Sequence, residues 1–512
     1  MGRISNTIRN AKYGAINKII VLIFRFVLRT IIIKKLGSEY IGLSSLFTSI
    51  LQVLNLAELG IGSSITFSLY KPVAEKDETT IRALMNLYKK IYRIIGIVVL
   101  IIGLALIPFL KDLIKGDVPS NINIYALYLI YLINSVLTYL LFAYKTILFE
   151  VHQRNDVTSK ISIVLNIFQF IFQVIAVMVY KNYYLYIVTL PMLTILNNLI
   201  GAYYAKKIYP NYYCDGVVEK SKKKDIAKRV YGLVLQKICA TTRNSLDSIF
   251  ISAFLGLNVI AIYNNYYMIM DAIVAILSII TVSMLASVGN SIATNTIEKN
   301  CNDMNKFNFM YMWISGFCTI SLACLYQPFM ELWLGNKFLL PIHTVLFFCL
   351  YFYLLKMGDI ISAYSQGAGL WWEGKYRALA ELILNILLNY FLGKFWGLDG
   401  IILGTLISLF LVNFLYGTTI IFKHYFKGQS ISKYYLNHLK YFVITFIILV
   451  INYYAIKYIP LSGLLGFIIK ALICLILPNI LYFIIYKRNE YFDSFIEILS
   501  NLPLFRKVIK RW

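Results

Sequence analysis

The chain is poor in charge and has no stretch suited to folding in water. Only 14% of its 512 residues are charged, where a soluble domain carries about a quarter. No long polar region interrupts it, which excludes a separate soluble domain of ordinary size. Its seven cysteines, Cys214, Cys239, Cys301, Cys318, Cys324, Cys349 and Cys474, are scattered, without a CxxC or a Cys/His cluster. They read as small apolar residues rather than disulfides or metal ligands. There is no DxD pair, nucleophile elbow or metal cluster on which an enzyme would be built. A near-match to a phosphate-binding loop, GLWWEGKY from Gly369, lacks the Ser/Thr that would hold Mg²⁺ and has no α/β domain around it. ATP-driven transport is therefore not expected. The N-terminus lacks a compact apolar core followed by a small-residue cleavage site, so no signal peptide is expected.

What the chain has is apolar surface: 59% of its residues are hydrophobic. They fall in blocks of about 20 residues, and a helix of that length spans roughly 30 Å of hydrocarbon. Fourteen such blocks predict an all-α integral membrane protein, with the eleventh, at 377–393, short and polar. With the N-terminus placed inside, the inner segments hold 34 Lys and Arg, the outer loops hold 8, and seven lie within spans. That asymmetry follows the positive-inside rule and places both termini in the cytoplasm. The net charge of +25 then reflects topology and anionic lipid headgroups, with no nucleic-acid partner.

The longest inner connection, KIYPNYYCDGVVEKSKKKDIAKR, separates two halves that resemble each other. LGSEYIGLSS from Leu36 is matched by LGLNVIAIYNN from Leu255, each entering an even-numbered span. The expected domains are 1–228 with six helices and the linker, 229–437 with six more, and 438–512 with two further helices and a basic tail. A six-span offset preserves orientation, so the repeat would be parallel about an axis along the membrane normal.

Cations stand inside the spans. Lys18, Arg25 and Arg29 are spaced 7 and 4 apart, which places them within about 40° of one another on a helix. Each costs about 2.5–3.5 kcal/mol near a helix centre unless it faces protein or water. Their own helix face has no acid, so they need carboxylates from neighbours or an anionic ligand. Polar and acidic residues on other spans supply the rest: Glu58 after Asn55; Arg243 with Asp247; Asn264, Tyr267 and Asp271; Lys356 with Asp359; Glu381 with Asn385 and Asn389. Asn166, Gln169 and Gln173 continue an uncharged stripe that suits sugars or bonds between helices. Taken alone, the Arg243–Asp247 and Lys356–Asp359 pairs read as structural salt bridges. Together the faces suggest a wet cationic cavity between the two halves. Guanidinium groups suit phosphate, amides and aromatic rings suit sugars, and a phosphate-linked glycan would use both.

The first 80 residues carry a resemblance. An Arg-bearing first span is followed by KKLGSEYIGLSSLFTSILQVLNLAELGIGSSI and YKPVAEKD, and GLDGIILGTLIS from Gly397 follows the same late pattern. This resembles the Wzx-type polysaccharide-biosynthesis flippases of the multidrug/oligosaccharidyl-lipid/polysaccharide exporter superfamily. The resemblance implies two six-helix lobes around a central cavity, with two extra C-terminal helices. It implies a bacterial plasma-membrane transporter rather than an enzyme. Such a transporter flips undecaprenyl-pyrophosphate-linked oligosaccharide from inner to outer leaflet by alternating access, for capsule or other surface polysaccharide. Family basic cavity residues would map to Arg25, Arg29 and Arg243. Membrane lipids, a polysaccharide polymerase and chain-length machinery are the implied partners. No resident cofactor is expected; Glu58, Asp247, Asp271, Asp359 and Glu381 are the candidates to carry a coupling H⁺ or Na⁺. A cation-coupled drug antiporter of the same superfamily and a membrane polysaccharide polymerase are the alternatives.

Overall fold

The structure is a computed structural model that describes residues 3–58, 60–116, 118–370, 372–459 and 463–500. Among them there is no strand. Hydrocarbon offers no partner to a backbone N–H or C=O, so a chain this apolar closes its hydrogen bonds within helices. The side chain of Lys237 and the basic tail from 501 lie outside the described residues.

The chain divides into two compact units, 1–264 and 265–512. The first is built from α1 (Arg3–Lys35), α2 (Ser38–Leu54), α3 (Ile61–Glu75), α4 (Glu78–Ala105), α5 (Ile124–Leu140), α6 (Ile147–Val151), α7 (Asn155–Met178), α8 (Tyr183–Ile208) and α9 (Lys220–Leu255). Helix α10 (Leu257–Thr294) begins in the first unit and continues into the second. There follow α11 (Ile297–Leu334), α12 (Ile342–Met357), α13 (Asp359–Gly367), α14 (Lys375–Ser408), α15 (Gly417–His424), α16 (Ile431–Lys457), α17 (Gly463–Tyr486) and α18 (Phe492–Ser500). Small polar residues start many of them. Asp77, Asn123, Asn182, Thr296 and Ser430 each accept a backbone N–H of the first turn that the helix itself leaves unpaired.

The sequence places α9 with the second half. In the structure it packs along α2, and the two compact units meet inside α10. The contact has a cause. Gly42 on α2 has no Cβ, and one added there would run into the backbone of Leu257. Ser38 Oγ donates to Asn258 Oδ1 at 2.6 Å, and Ser245 Oγ to Gln52 Oε1 at 3.0 Å. The two repeated LG motifs thus meet, and both make the same turn. Gly37 (φ 128°) and Gly256 (φ 94°) sit in conformations that favour glycine, each donating its N–H five residues back, to Ile32 and Ile251.

Among the described residues eight helical stretches are long and apolar enough to cross a membrane, nine if the bent pair Ile124–Leu140 and Ala143–Val151 is one span. This is fewer than fourteen, for reasons visible in the helices. α1 carries its cations, and α9 is polar over most of its length. The block at 41–69 is broken: after α2, Asn55–Glu58 form a 3₁₀ turn and Gly60 turns left-handed (φ 87°). In the second unit the single stretch 375–424 contains two arms. Gly397 (φ 57°, ψ −131°) interrupts α14, so Asn385 Nδ2 reaches Thr405 Oγ1 at 2.9 Å across 20 residues of chain. Gly400 and Gly404 let the arms touch: a Cβ at either would collide with Leu392 or Asn389. The expected short eleventh span is the first arm of this hairpin.

Candidate functional site

Helix α1 presents three distinct sides. Phe24 stacks on Phe170 with ring centroids 4.0 Å apart, and Asn166 Nδ2 donates to Asn17 Oδ1 at 3.2 Å, so one side is taken by α7. Ile16, Ile19, Ile23 and Val27 are exposed apolar residues, roughly 100–180° around the helix from Lys18. The third side is the cationic stripe. Lys18 and Arg25 are exposed, and among the described residues no carboxylate comes within ion-pair reach of either. Arg29 is half-buried and donates from Nη2 to the Ala261 carbonyl at 3.2 Å. The stripe therefore has two accessible cations and a third braced on the first turns of α10.

Next to the α2–α3 break the first unit holds a cavity of about 630 Å³. Gln52, Asn55, Asn134, Ser135, Thr138 and Tyr131 line it, together with Thr48, Ser63 and Thr241. Ser135 Oγ donates to Asn55 Oδ1 at 2.9 Å, which ties α5 to the break. Glu58 is the one charged residue among those lining it. Its two oxygens accept from Tyr92 Oη at 2.6 Å and Tyr139 Oη at 2.9 Å, and Tyr88 donates to Tyr92. On its other side Glu58 faces a second cavity of about 380 Å³, which Glu150 also lines. A wider recess of about 720 Å³ around Lys111, Asn123, Tyr125 and Tyr184 lies at the α4–α5 loop, away from these groups.

The remaining candidates are spread more widely. Gln169 and Gln173 donate to Thr189 Oγ1 at 3.4 and 2.9 Å, bonding α7 to α8. With Asn166 they join helices in this conformation, and none of the three lines the two cavities around Glu58. Arg243 is buried on α9, as is Asp247, which accepts from Tyr263 Oη at 3.0 Å. In the second unit Asp271 is exposed on α10. Asp359 Oδ2 receives Lys356 Nζ at 2.7 Å and Tyr311 Oη at 2.5 Å. Glu381 is buried beside the Asn385–Thr405 contact. Among the described residues no three His, Cys, Asp or Glu gather as metal ligands.

Sequence reasoning found Asn55 and Glu58 and missed Gln52, Tyr131, Asn134, Ser135 and Glu150. Gln52 lies one turn before Asn55. Asn134 and Ser135 are adjacent polar residues in an apolar helix, a signal that was available. Glu150 was hidden: the 50° bend after Leu140, with Phe142 at φ 45°, turns α6 and brings a loop-like residue to the cavity.

Residues 7–286 match the family model described as polysaccharide biosynthesis protein. No curated protein matches the sequence. Among solved structures, the lipid II flippase MurJ in an inward closed conformation is similar with a TM-score of 0.65 at 14% identity, over 92% of this chain and 98% of that one. An inward-facing multidrug resistance MATE family transporter of the MOP superfamily gives 0.58 at 14% identity, over 78% and 94%. A MOP superfamily transporter from Pyrococcus furiosus, whose binding pocket is described as reversed in polarity, gives 0.53 at 12% identity, over 81% and 95%. With its helices, its broken spans and this match over more than half its length, the chain belongs to the polysaccharide biosynthesis protein family and is an all-α membrane protein with the fold of the MOP superfamily transporters.

Proposed function

We propose that this protein is a flippase that moves undecaprenyl-pyrophosphate-linked oligosaccharide from the inner to the outer leaflet of a bacterial plasma membrane, with both termini cytoplasmic. The glycan would feed capsule or another surface polysaccharide, and a polymerase with its chain-length machinery would act on it next. The observation that carries the reading is that the first unit holds two separate surfaces of the needed chemistry. Lys18 and Arg25 are accessible cations on α1, and the cavity of about 630 Å³ is lined by amides, hydroxyls and Tyr131. Cations hold a pyrophosphate in place of water. Amides, hydroxyls and a ring face replace the hydration of sugars. The polyprenyl tail needs neither, and stays in lipid. Arg29 and Arg243 complete the cationic set in this proposal, while Asn166, Gln169 and Gln173 enter it only if the helices they join separate.

Coupling to H⁺ or Na⁺ through Glu58, Asp247, Asp271, Asp359 or Glu381 is part of the proposal. The polysaccharide-biosynthesis family and the likeness to a lipid II flippase support a lipid-linked glycan over a drug. An antiporter for cationic drugs would not place exposed cations on α1. Inverted membrane vesicles supplied with labelled lipid-linked glycan test the reading: translocation into the lumen that depends on this protein is expected. Cation-coupled drug movement without glycan movement, or lengthening of the glycan, contradicts it.

A further inference from the structure

The cysteines are scattered in sequence, but packing in the second unit brings two of them together. Helices α16 and α17 lie against α11, and polar groups join these helices at successive levels. Asn308 Nδ2 on α11 meets His438 Nε2 on α16 at 2.9 Å. Just over two turns further along α11, Gly316 makes room for Tyr482 of α17, whose hydroxyl is 2.7 Å from Thr445 Oγ1 of α16. A Cβ at Gly316 would collide with both hydroxyls.

The next level holds sulfur. Cys324 stands eight residues after Gly316 on α11, and Cys474 stands eight residues before Tyr482 on α17. The two helices run antiparallel, so one register places Gly316 against Tyr482 and Cys324 against Cys474. Asn452 follows Thr445 by seven residues on α16 and arrives between the sulfurs. Its Nδ2 donates to each Sγ at 3.2 Å, and the two thiols are hydrogen-bonded to each other. All three side chains are buried: Cys324 is 5% exposed, Cys474 1% and Asn452 0%.

We propose that Cys324 and Cys474 are a redox pair that closes to a disulfide joining α11 to α17. Two S–H bonds break and one S–S bond forms. The two electrons and both protons pass to a membrane quinone, which leaves as the quinol. Both cysteines lie in stretches apolar enough to cross a membrane, the phase in which a lipid-soluble quinone dissolves. The product also suits the site. A bound metal ion would be held through thiolates, and charge among spans is costly; a disulfide carries none. Asn452 holds the two sulfurs side by side before the bond forms, so little orientation is left to achieve. Closed, the bond ties the last span to α11, whatever the protein transports.

The experiment uses the purified full-length protein in lipid nanodiscs. It is reduced, freed of reductant, treated with decylubiquinone, then unfolded, alkylated with N-ethylmaleimide and digested for mass spectrometry. The expected result is a joined peptide pair carrying Cys324 and Cys474, with alkylation of both lost and then restored by dithiothreitol. One quinol should appear per joined pair, and Cys318 and Cys349 should stay alkylated. Cys324→Ser and Cys474→Ser should each abolish the joined pair, keep the helix content and leave the remaining thiol alkylated. The oxidised protein should denature at a higher temperature than the reduced one, and either variant should remove that difference. Full alkylation of both thiols after quinone treatment, Cys324 joined to Cys349 instead, or a bond between two copies of the chain overturns the proposal.

Discussion

Lys356 on α12 and Arg25 on α1 are both cations on helices rich in apolar residues, yet the protein treats them oppositely. Lys356 is 3% exposed, bonded to Asp359 at 2.7 Å, and that carboxylate also takes the Tyr311 hydroxyl. The group is closed: its charge is answered by a neighbour three residues away, at the break around Gly358. Arg25 is exposed, like Lys18 two turns before it, and among the described residues no carboxylate pairs with either. A charge already paired and buried has its hydrogen bonds taken by its neighbour and is not open to a ligand. Charge left accessible in a span is the kind that meets a substrate. In the first unit even the acid follows this pattern, since Glu58 is held by two tyrosines while facing two cavities.

The comparison is broken most severely by opening the closed group. Asp359→Asn should leave Lys356 buried without its counter-charge and destabilise the protein by about 3–5 kcal/mol, read as a lower denaturation midpoint in detergent. A variant with unchanged stability and lost transport would move Asp359 from the structural side of the comparison to the coupling side. A smaller effect is expected from the uncharged cavity. Gln52→Ala with Asn134→Ala removes two amides at a cost of about 0.5–1.5 kcal/mol per lost hydrogen bond; transport of labelled glycan should fall about tenfold, with the protein still folded. Equal loss for glycan and for a sugar-free polyprenyl pyrophosphate would show that the amides do not read sugar.

The smallest effect lies outside the spans. Asp77 accepts from the Thr79 hydroxyl and from Thr80, which lowers its carboxyl from the usual range to about 2. Its folded value is below its unfolded one, so its contribution to stability is complete above about pH 4 and is lost as pH falls toward about 2. Asp77→Ala should lower stability at neutral pH, where the cap is intact, and remove this residue's share of the acid dependence below about pH 4, as followed by circular dichroism.

Much of the fold was legible because hydrocarbon leaves so few choices. Blocks of apolar residues, the LG repeat and the Gly-rich GLDGIILG stretch each correspond to a feature of the helices: spans, paired turns and a tight hairpin at Gly397. The breaks were harder to read. Asn55–Gly60 contains polar residues and glycines that a membrane span also tolerates, so the sequence reads as one span where the structure has a turn. The site was legible where polarity repeats along one helix, as at Lys18, Arg25 and Arg29. It was not legible where it depends on which helices pack together. Gln173 and Glu150 are ordinary polar residues in sequence; packing against α8 uses up the first, and the bend before α6 exposes the second.

The account stands on the accessible cations of α1. Lys18→Gln with Arg25→Gln, reconstituted in proteoliposomes beside the unsubstituted protein, should insert and fold normally but fail to move labelled lipid-linked glycan across the bilayer. Glycan translocation by that variant at the unsubstituted rate would contradict the central claim.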